Sequence, residues 1–338
     1  MQYAVSKSSS IMSRLVRFVI LSLISISQTA ALKCNGMTDL CDLDISQVTL
    51  AGSHNSGAGF DGILDYHTPI GKVDALSCFY RNQKLSFKQQ LSLGVRYFDI
   101  DSCWEDNYKP NSAWICHSGA YGGSIKKMIQ QIDDWMNEPA NRNEVIVIHF
   151  NRDFDRTDSD KTGADIIKQL SDKWEPSNKR LAAGQLAIET SVGRKLGESI
   201  KKNQRIHIIM HTSLSGSYRK PWIISQWNVG FTWTSMTFLA SSGCKNLMNA
   251  MGETRCRKEA SHKFVRYDMY LSSGLCVDDL ASVCRKYIKT GVEKCFKGTY
   301  ARRRTVNFIV VDYVGSEVIN AAAQHNKRNI KVYLGRSV

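Results

Sequence analysis

The chain has 338 residues, 43% of them hydrophobic, and a formal charge of +14. That length can bury one α/β barrel or two modest domains, and five prolines with no repeat or low-complexity tract mark no interdomain linker, so one domain is expected. The basic residues are scattered apart from Arg302-Arg303-Arg304 and a lysine-rich stretch at 285–297. No nucleic-acid site is therefore indicated, whereas a basic face would be attracted to anionic phospholipid head groups or polysaccharides.

The N-terminus reads as a secretory signal. Lys7, Arg14 and Arg17 form a basic start, Phe18 to Ile26 is apolar, and Thr29-Ala30-Ala31 carries the small residues of a cleavage point after Ala31. The apolar run is shorter than the ~20 residues that span a bilayer. Loss of residues 1–31 lowers the charge to +11. The expected product, 32–338, is a secreted monomer that meets membranes only peripherally. Ten cysteines, all beyond the signal, suit that compartment. Cys34 with Cys41 and Cys103 with Cys116 are natural pairs, five more crowd the segment 244–295, and Cys78 stands alone. Zinc is disfavoured because no C-x-x-C pair occurs, and no Asn-x-Ser/Thr acceptor is present.

Along the mature chain, Ser46 to Gly52 alternates as a strand ending at His54. Phe87 to Leu93 reads as a helix leading into a strand at 95–101. Ile125 to Met136 is an amphipathic helix, and 144–151 is a continuous apolar strand of the kind buried on both faces of a parallel sheet. Asp165 to Trp174 looks helical. Arg205 to His211 and Asn307 to Val314 are strong strands, 228–232 and 264–271 weaker ones. This alternation, with polar residues gathering at strand ends, predicts a single-domain, disulfide-containing α/β fold of the irregular TIM-type (β/α) barrel.

The candidate chemistry lies at those strand ends. Asp99 and Asp101, at i and i+2 of Val95-Arg96-Tyr97-Phe98-Asp99-Ile100-Asp101, share one strand face while Phe98 and Ile100 take the other. Adjacent like charges call for a cation, and a hard ion with oxygen ligands is the simplest. Histidines flank them: His54 in Gly52-Ser53-His54-Asn55-Ser56, and His117 in Cys116-His117-Ser118-Gly119. A base, an acid and positive charge for phosphoryl oxygens are what phosphodiester cleavage requires. Asp312, in the apolar Phe308-Ile309-Val310-Val311-Asp312-Tyr313, needs a partner, and a histidine on the first strand adjoins it if the barrel closes. His149 and His207 read as core histidines; His211 is open.

Together with Gln89-Gln90-Leu91, Gly94 and Glu144-Val145-Ile146-Val147-Ile148, these motifs resemble the X-domain of phosphatidylinositol-specific phospholipase C, densely over 46–153 and again at 307–314. The resemblance implies a phosphodiesterase in which the inositol 2-hydroxyl attacks phosphorus, diacylglycerol leaves and a cyclic inositol phosphate forms. It implies His54 as general base, His117 as general acid and Asp312 as the carboxylate orienting the base. It also implies a weakly bound Ca2+ held by Asn55, Asp99, Asp101 and Asn151, although a glutamate is usual at the last position. The substrate would be phosphatidylinositol or a glycosylated inositol lipid on an anionic membrane surface. The alternatives are an inert barrel binding head groups or carbohydrate, or a phosphodiesterase for other phospholipids.

Overall fold

The computed structural model describes residues 32–59, 67–68, 71–72, 77–105, 111–117, 120–153, 158–175, 180–182, 194–216, 220–232, 240–250, 252–270, 276–300, 302 and 304–337. The expected signal, 1–31, lies outside them. Along the chain come β1 (Leu50–Ser53), a two-stranded ribbon of β2 (His67–Thr68) and β3 (Gly71–Lys72), and β4 (Tyr97–Glu105). Then follow β5 (Ser112–His117), β6 (Ala120–Ser124), β7 (Ile146–Arg152), β8 (Ile206–Met210), β9 (Ile223–Ser225), β10 (Val229–Phe231), β11 (Phe264–Met269) and β12 (Phe308–Val311).

Eight of these strands lie side by side and parallel in the order β10-β11-β12-β1-β4-β7-β8-β9. The two ends of that row, β9 and β10, are joined by the short turn Gln226–Asn228, so the row curls back toward itself as an irregular barrel. Phe98, Ile100, Ile148 and Phe150 pack outward against α1 (Phe87–Leu93), α2 (Ile125–Asn137) and α3 (Ser159–Trp174). Tyr97, Val147, Ile209, Phe308 and Val310 fill the interior over Leu40, Leu43, Ile45 and Val48. Because strand side chains alternate, Asp99 and Asp101 share the interior face with Tyr97.

Local chemistry delivers the chain to this frame. Ser86 caps α1, its hydroxyl accepting from Gln89 N at 3.3 Å while Gln89 Oε1 accepts from Ser86 N at 2.9 Å. Gly94, at φ 120°, ends the helix in a left-handed turn and aims the chain into β4. The apolar stripe predicted on α2 is its buried face: Ile125, Met128, Ile129, Ile132, Trp135 and Met136. Later helices, α4 (Ala240–Ala250), α5 (Glu253–Glu259), α6 (Val277–Arg285), α7 (Ile288–Tyr300) and α8 (Ser316–Leu334), complete the outer layer.

Three sequence expectations change. Residues 45–47 form a 3-10 turn, not strand, because Asp44 accepts from Ser46 N at 2.8 Å and Gln47 from Asp44 N at 3.0 Å. The strand expected to stop at Asp101 runs to Glu105, since its upper half pairs antiparallel with β5. Cys78 is not alone: it bonds Cys276, beside Cys34–Cys41, Cys103–Cys116, Cys244–Cys284 and Cys256–Cys295.

His149, His207 and His325 are buried, and burial pushes them from 6.5 down to about 3, 4 and 4. Their folded values lie below the unfolded one, so the unfolded chain binds more protons as pH falls below 6.5 and stability drops from there toward about 4. Each of these histidines therefore lowers the urea midpoint as pH falls from 7 to 5, and His325→Leu should remove its share, leaving the variant less sensitive to acid than wild type by that amount. Identical slopes in variant and wild type would show that His325 charges freely within the fold.

Candidate active site

At the end of β1 the chain reverses through Asn55, at φ 41°, a left-handed conformation that asparagine tolerates. His54 stays level with Asp312, beyond the neighbouring β12, and the two meet at 2.8 Å between Nδ1 and Oδ1. His117 comes from another direction. It ends β5, which folds back along the upper half of β4 and is tied there by Cys103–Cys116. The two imidazoles stand 6.3 Å apart, centroid to centroid.

Asn82, which sequence reasoning missed, links them. Its Nδ2 donates to Asp312 Oδ1 at 2.8 Å, so its amide oxygen faces His117 Nδ1 at 2.5 Å. Asn55 Nδ2 lies 2.7 Å from the same ring nitrogen and donates to Asn82 Oδ1 at 3.4 Å. With both Nδ1 atoms occupied, each ring keeps Nε2 for proton exchange. Gln83 secures the framework, donating to the His54 carbonyl at 2.9 Å and accepting from Val314 N at 3.0 Å. Tyr270 stacks on His54 with centroids 3.5 Å apart.

The electrostatics separate the two histidines. Burial opposes a charge on His54, but Asp312, through its charge and its hydrogen bond, outweighs it and raises the ring above its ordinary 6.5. Burial, then the charge of His54, lowers His117 to about 3. Of the two rings, His54 is therefore the one favoured to carry a proton.

The predicted ligand set divides. Asp99 is held by Arg266 of β11, which sequence reasoning also missed: Nη1 donates to Oδ1 at 2.7 Å and Nη2 to Oδ2 at 2.8 Å. Arg266 Nε also donates to Asp268 at 2.5 Å. Asn151 Nδ2 donates to Asp99 Oδ1 at 2.5 Å, which turns its oxygen away. Burial disfavours the Asp99 charge, yet the guanidinium prevails and lowers it. Asp101 lacks such relief, and burial together with the Asp99 charge pushes it up to about 8. Asn55 Oδ1 is a buried acceptor with no hydrogen bond. Asn55 Oδ1, Asp101 and the Asn151 oxygen are the groups that would hold a hard cation, with Asp99 already paired from within the barrel. His211 stands apart, capping the turn after β8.

Because Arg266 is buried between two carboxylates, removing it leaves both uncompensated. Arg266→Met should cost about 3–5 kcal/mol of stability, measured by denaturant unfolding, whereas Asp101→Asn should cost little or stabilise. Equal, small effects would show that the ion pair is not what permits Asp99 to be buried.

The family model for PI-PLC X 1 matches residues 40–326. No curated protein matches the chain. Among solved structures, the phosphatidylinositol-specific phospholipase C of Listeria monocytogenes is similar at 12% identity and a TM-score of 0.58, covering 85% of this chain and 95% of its own. A pentafluoro-Phe variant of the Staphylococcus aureus enzyme is similar at 16% identity and 0.55, covering 83% and 96%. Another S. aureus structure, concerned with modulation of its membrane binding, is similar at 17% identity and 0.51, covering 82% and 93%. Identities this low show the barrel alone, but the family match spans all the strands described above together with His54, His117 and Asp312. The chain belongs to the PI-PLC X family.

Proposed function

We propose that the chain is a secreted phosphodiesterase of the phospholipase C type that cleaves inositol phospholipids, including glycosylated ones, at an anionic membrane surface. The observation that supports this most is the pair of facing histidines held from behind by one Asp312–Asn82 assembly. Asp312 fixes the hydrogen of His54 on Nδ1, leaving Nε2 to take a proton from an attacking hydroxyl. His117, with Nδ1 hydrogen-bonded to Asn82, delivers a proton from Nε2 to the leaving oxygen and is left neutral. Its low value of about 3 suits release, and a phosphate anion bound between the rings would draw a proton shared by the pair toward it. When bound, a Ca2+ at Asn55, Asp101 and Asn151 would add positive charge beside a phosphoryl oxygen.

Secretion agrees with five disulfides and with the absence, among the described residues, of a helix long and apolar enough to cross a membrane. The charge of +11 expected for residues 32–338 supports docking on anionic lipid.

The test is release of water-soluble inositol phosphates from phosphatidylinositol vesicles. His54→Ala and His117→Ala should each lose about 10²–10⁴-fold in rate while remaining folded. Because one proton serves both rings, kcat/KM should hold between pH 4 and 6.5 and fall as pH rises through the raised value of His54. A rate that climbs steadily above pH 8 would contradict the shared proton. For the cation, Ca2+ should raise the melting temperature of wild type and not of Asp101→Ala. Full turnover in excess chelator, with no thermal shift, would remove Ca2+ from the reading.

A further inference from the structure

A cavity of about 320 Å³ opens at the seam where β9 and β10 bring the two ends of the strand row together. Its lining includes His211, Gln226, Trp227, Phe231, Arg255 and His262. The volume lies at the lower end of the range for small-molecule sites. The cavity is joined to the strand that carries Asn151: His211 N donates to Phe150 O at 2.8 Å, one residue before it. The Phe231 ring lies 5.2 Å from the Arg266 guanidinium that holds Asp99.

The hydrogen-bonding capacity of the lining is specific. Ser213 N donates to His211 Nδ1 at 3.2 Å, so that nitrogen is an acceptor and the ring hydrogen sits on Nε2 as a donor. His262 is the reverse: Nδ1 donates to the Glu259 carbonyl at 3.1 Å, leaving Nε2 as an acceptor in the neutral ring. Gln226 Oε1 is buried with no hydrogen bond, a cost that a ligand hydroxyl would relieve. At the mouth, Trp227 is 78% exposed, the most exposed large apolar side chain among the described residues.

Charge narrows the ligand class. Arg255, the cavity's permanent cation, pairs with Glu259 at 3.1 Å, and burial, then Arg152, lowers His211 below its ordinary value. Neither an anion nor a cation finds an uncompensated counter-charge. Alternating donors and acceptors beside one flat aromatic face suit a neutral, hydroxyl-rich ring whose C–H face lies on the indole. We infer that the seam cavity is a saccharide-binding subsite. Its ligand is either the glycan carried by a glycosylated inositol lipid held in the catalytic centre, which rests on the proposed function, or an independent glycan.

Two arms test it. In the first, free glucosamine, mannose and galactose are titrated by tryptophan fluorescence and saturation-transfer NMR, which need no turnover. At least one sugar should bind wild type and should lose binding about tenfold or more in Trp227→Ala and in Gln226→Ala. In the second, kcat/KM is compared for phosphatidylinositol and for a glycosylated phosphatidylinositol. If the glycan belongs to the substrate, both variants keep wild-type turnover of the first and lose about tenfold on the second. Sugar binding with unchanged turnover of both lipids supports an independent glycan. Absence of sugar binding to folded wild type overturns the inference, even if phosphatidylinositol is cleaved. So does a Trp227→Ala variant that binds sugar normally but leaves vesicles and loses turnover on both lipids alike, since Trp227 would then be a membrane anchor. Sugar binding by a protein that cleaves neither lipid would overturn the proposed function and leave the subsite standing.

Discussion

Inside the barrel, Arg266 carries two carboxylates at once, Asp99 through both Nη atoms and Asp268 through Nε. All three groups are buried, and none of these carboxylates could remain charged in that interior without the guanidinium. The pairing ties β4 to β11 across the barrel, and Asn151 joins it from β7 through Asp99. Tyr97 adds its hydroxyl at 3.4 Å, and Phe231 lies 5.2 Å from the guanidinium. The floor of the catalytic centre is thus a buried layer of two carboxylates on one guanidinium, in which Arg266 holds Asp99 low while burial still pushes Asp268 up. The rim above it keeps one carboxylate, Asp101, whose charge nothing comparable offsets.

On the other side of the centre, Asp312 is the organising group. It binds His54 directly and orients Asn82, whose opposite end meets His117. Two rings delivered by unrelated elements, one at a barrel strand and one on an antiparallel hairpin, are thereby brought to a common support. Since each is buried, their protonation is linked: the proton that Asp312 favours on His54 is a proton that His117 does without. The disulfide between Cys103 and Cys116 fixes the hairpin against the strand bearing Asp99 and Asp101, so it sets where His117 stands relative to them.

The irregularity of the barrel has its own consequence. A closed eight-stranded barrel would leave little room between neighbouring strands. Here β9 and β10 are brief, and the Gln226–Asn228 turn between them leaves the cavity that His211 and His262 line. Two imidazoles that play no part in the catalytic pair thus face one another's region with opposite hydrogen-bonding roles.

The sequence by itself determined the alternation of apolar strand and amphipathic helix, and hence the barrel. It also determined that Asp99 and Asp101 share one strand face, because strand periodicity is local, whereas the packing made that face the inward one. The pairings of Cys34 with Cys41 and of Cys103 with Cys116 were legible for the same reason: the partners are close in the chain. Asp312 could be matched with His54 only on the condition that the barrel brought the last strand beside the first, which β12 and β1 do. What tertiary structure alone decided are contacts between residues far apart in the chain. Cys78 meets Cys276 over 198 positions, and Arg266 reaches Asp99 over 167. Asn82 sits in a polar segment with no strand or helix pattern, so nothing local marks it as the link between two histidines. Which cation answers Asp99 was likewise beyond the sequence, because one arginine among many basic residues becomes its partner only when β11 and β4 face each other across the barrel.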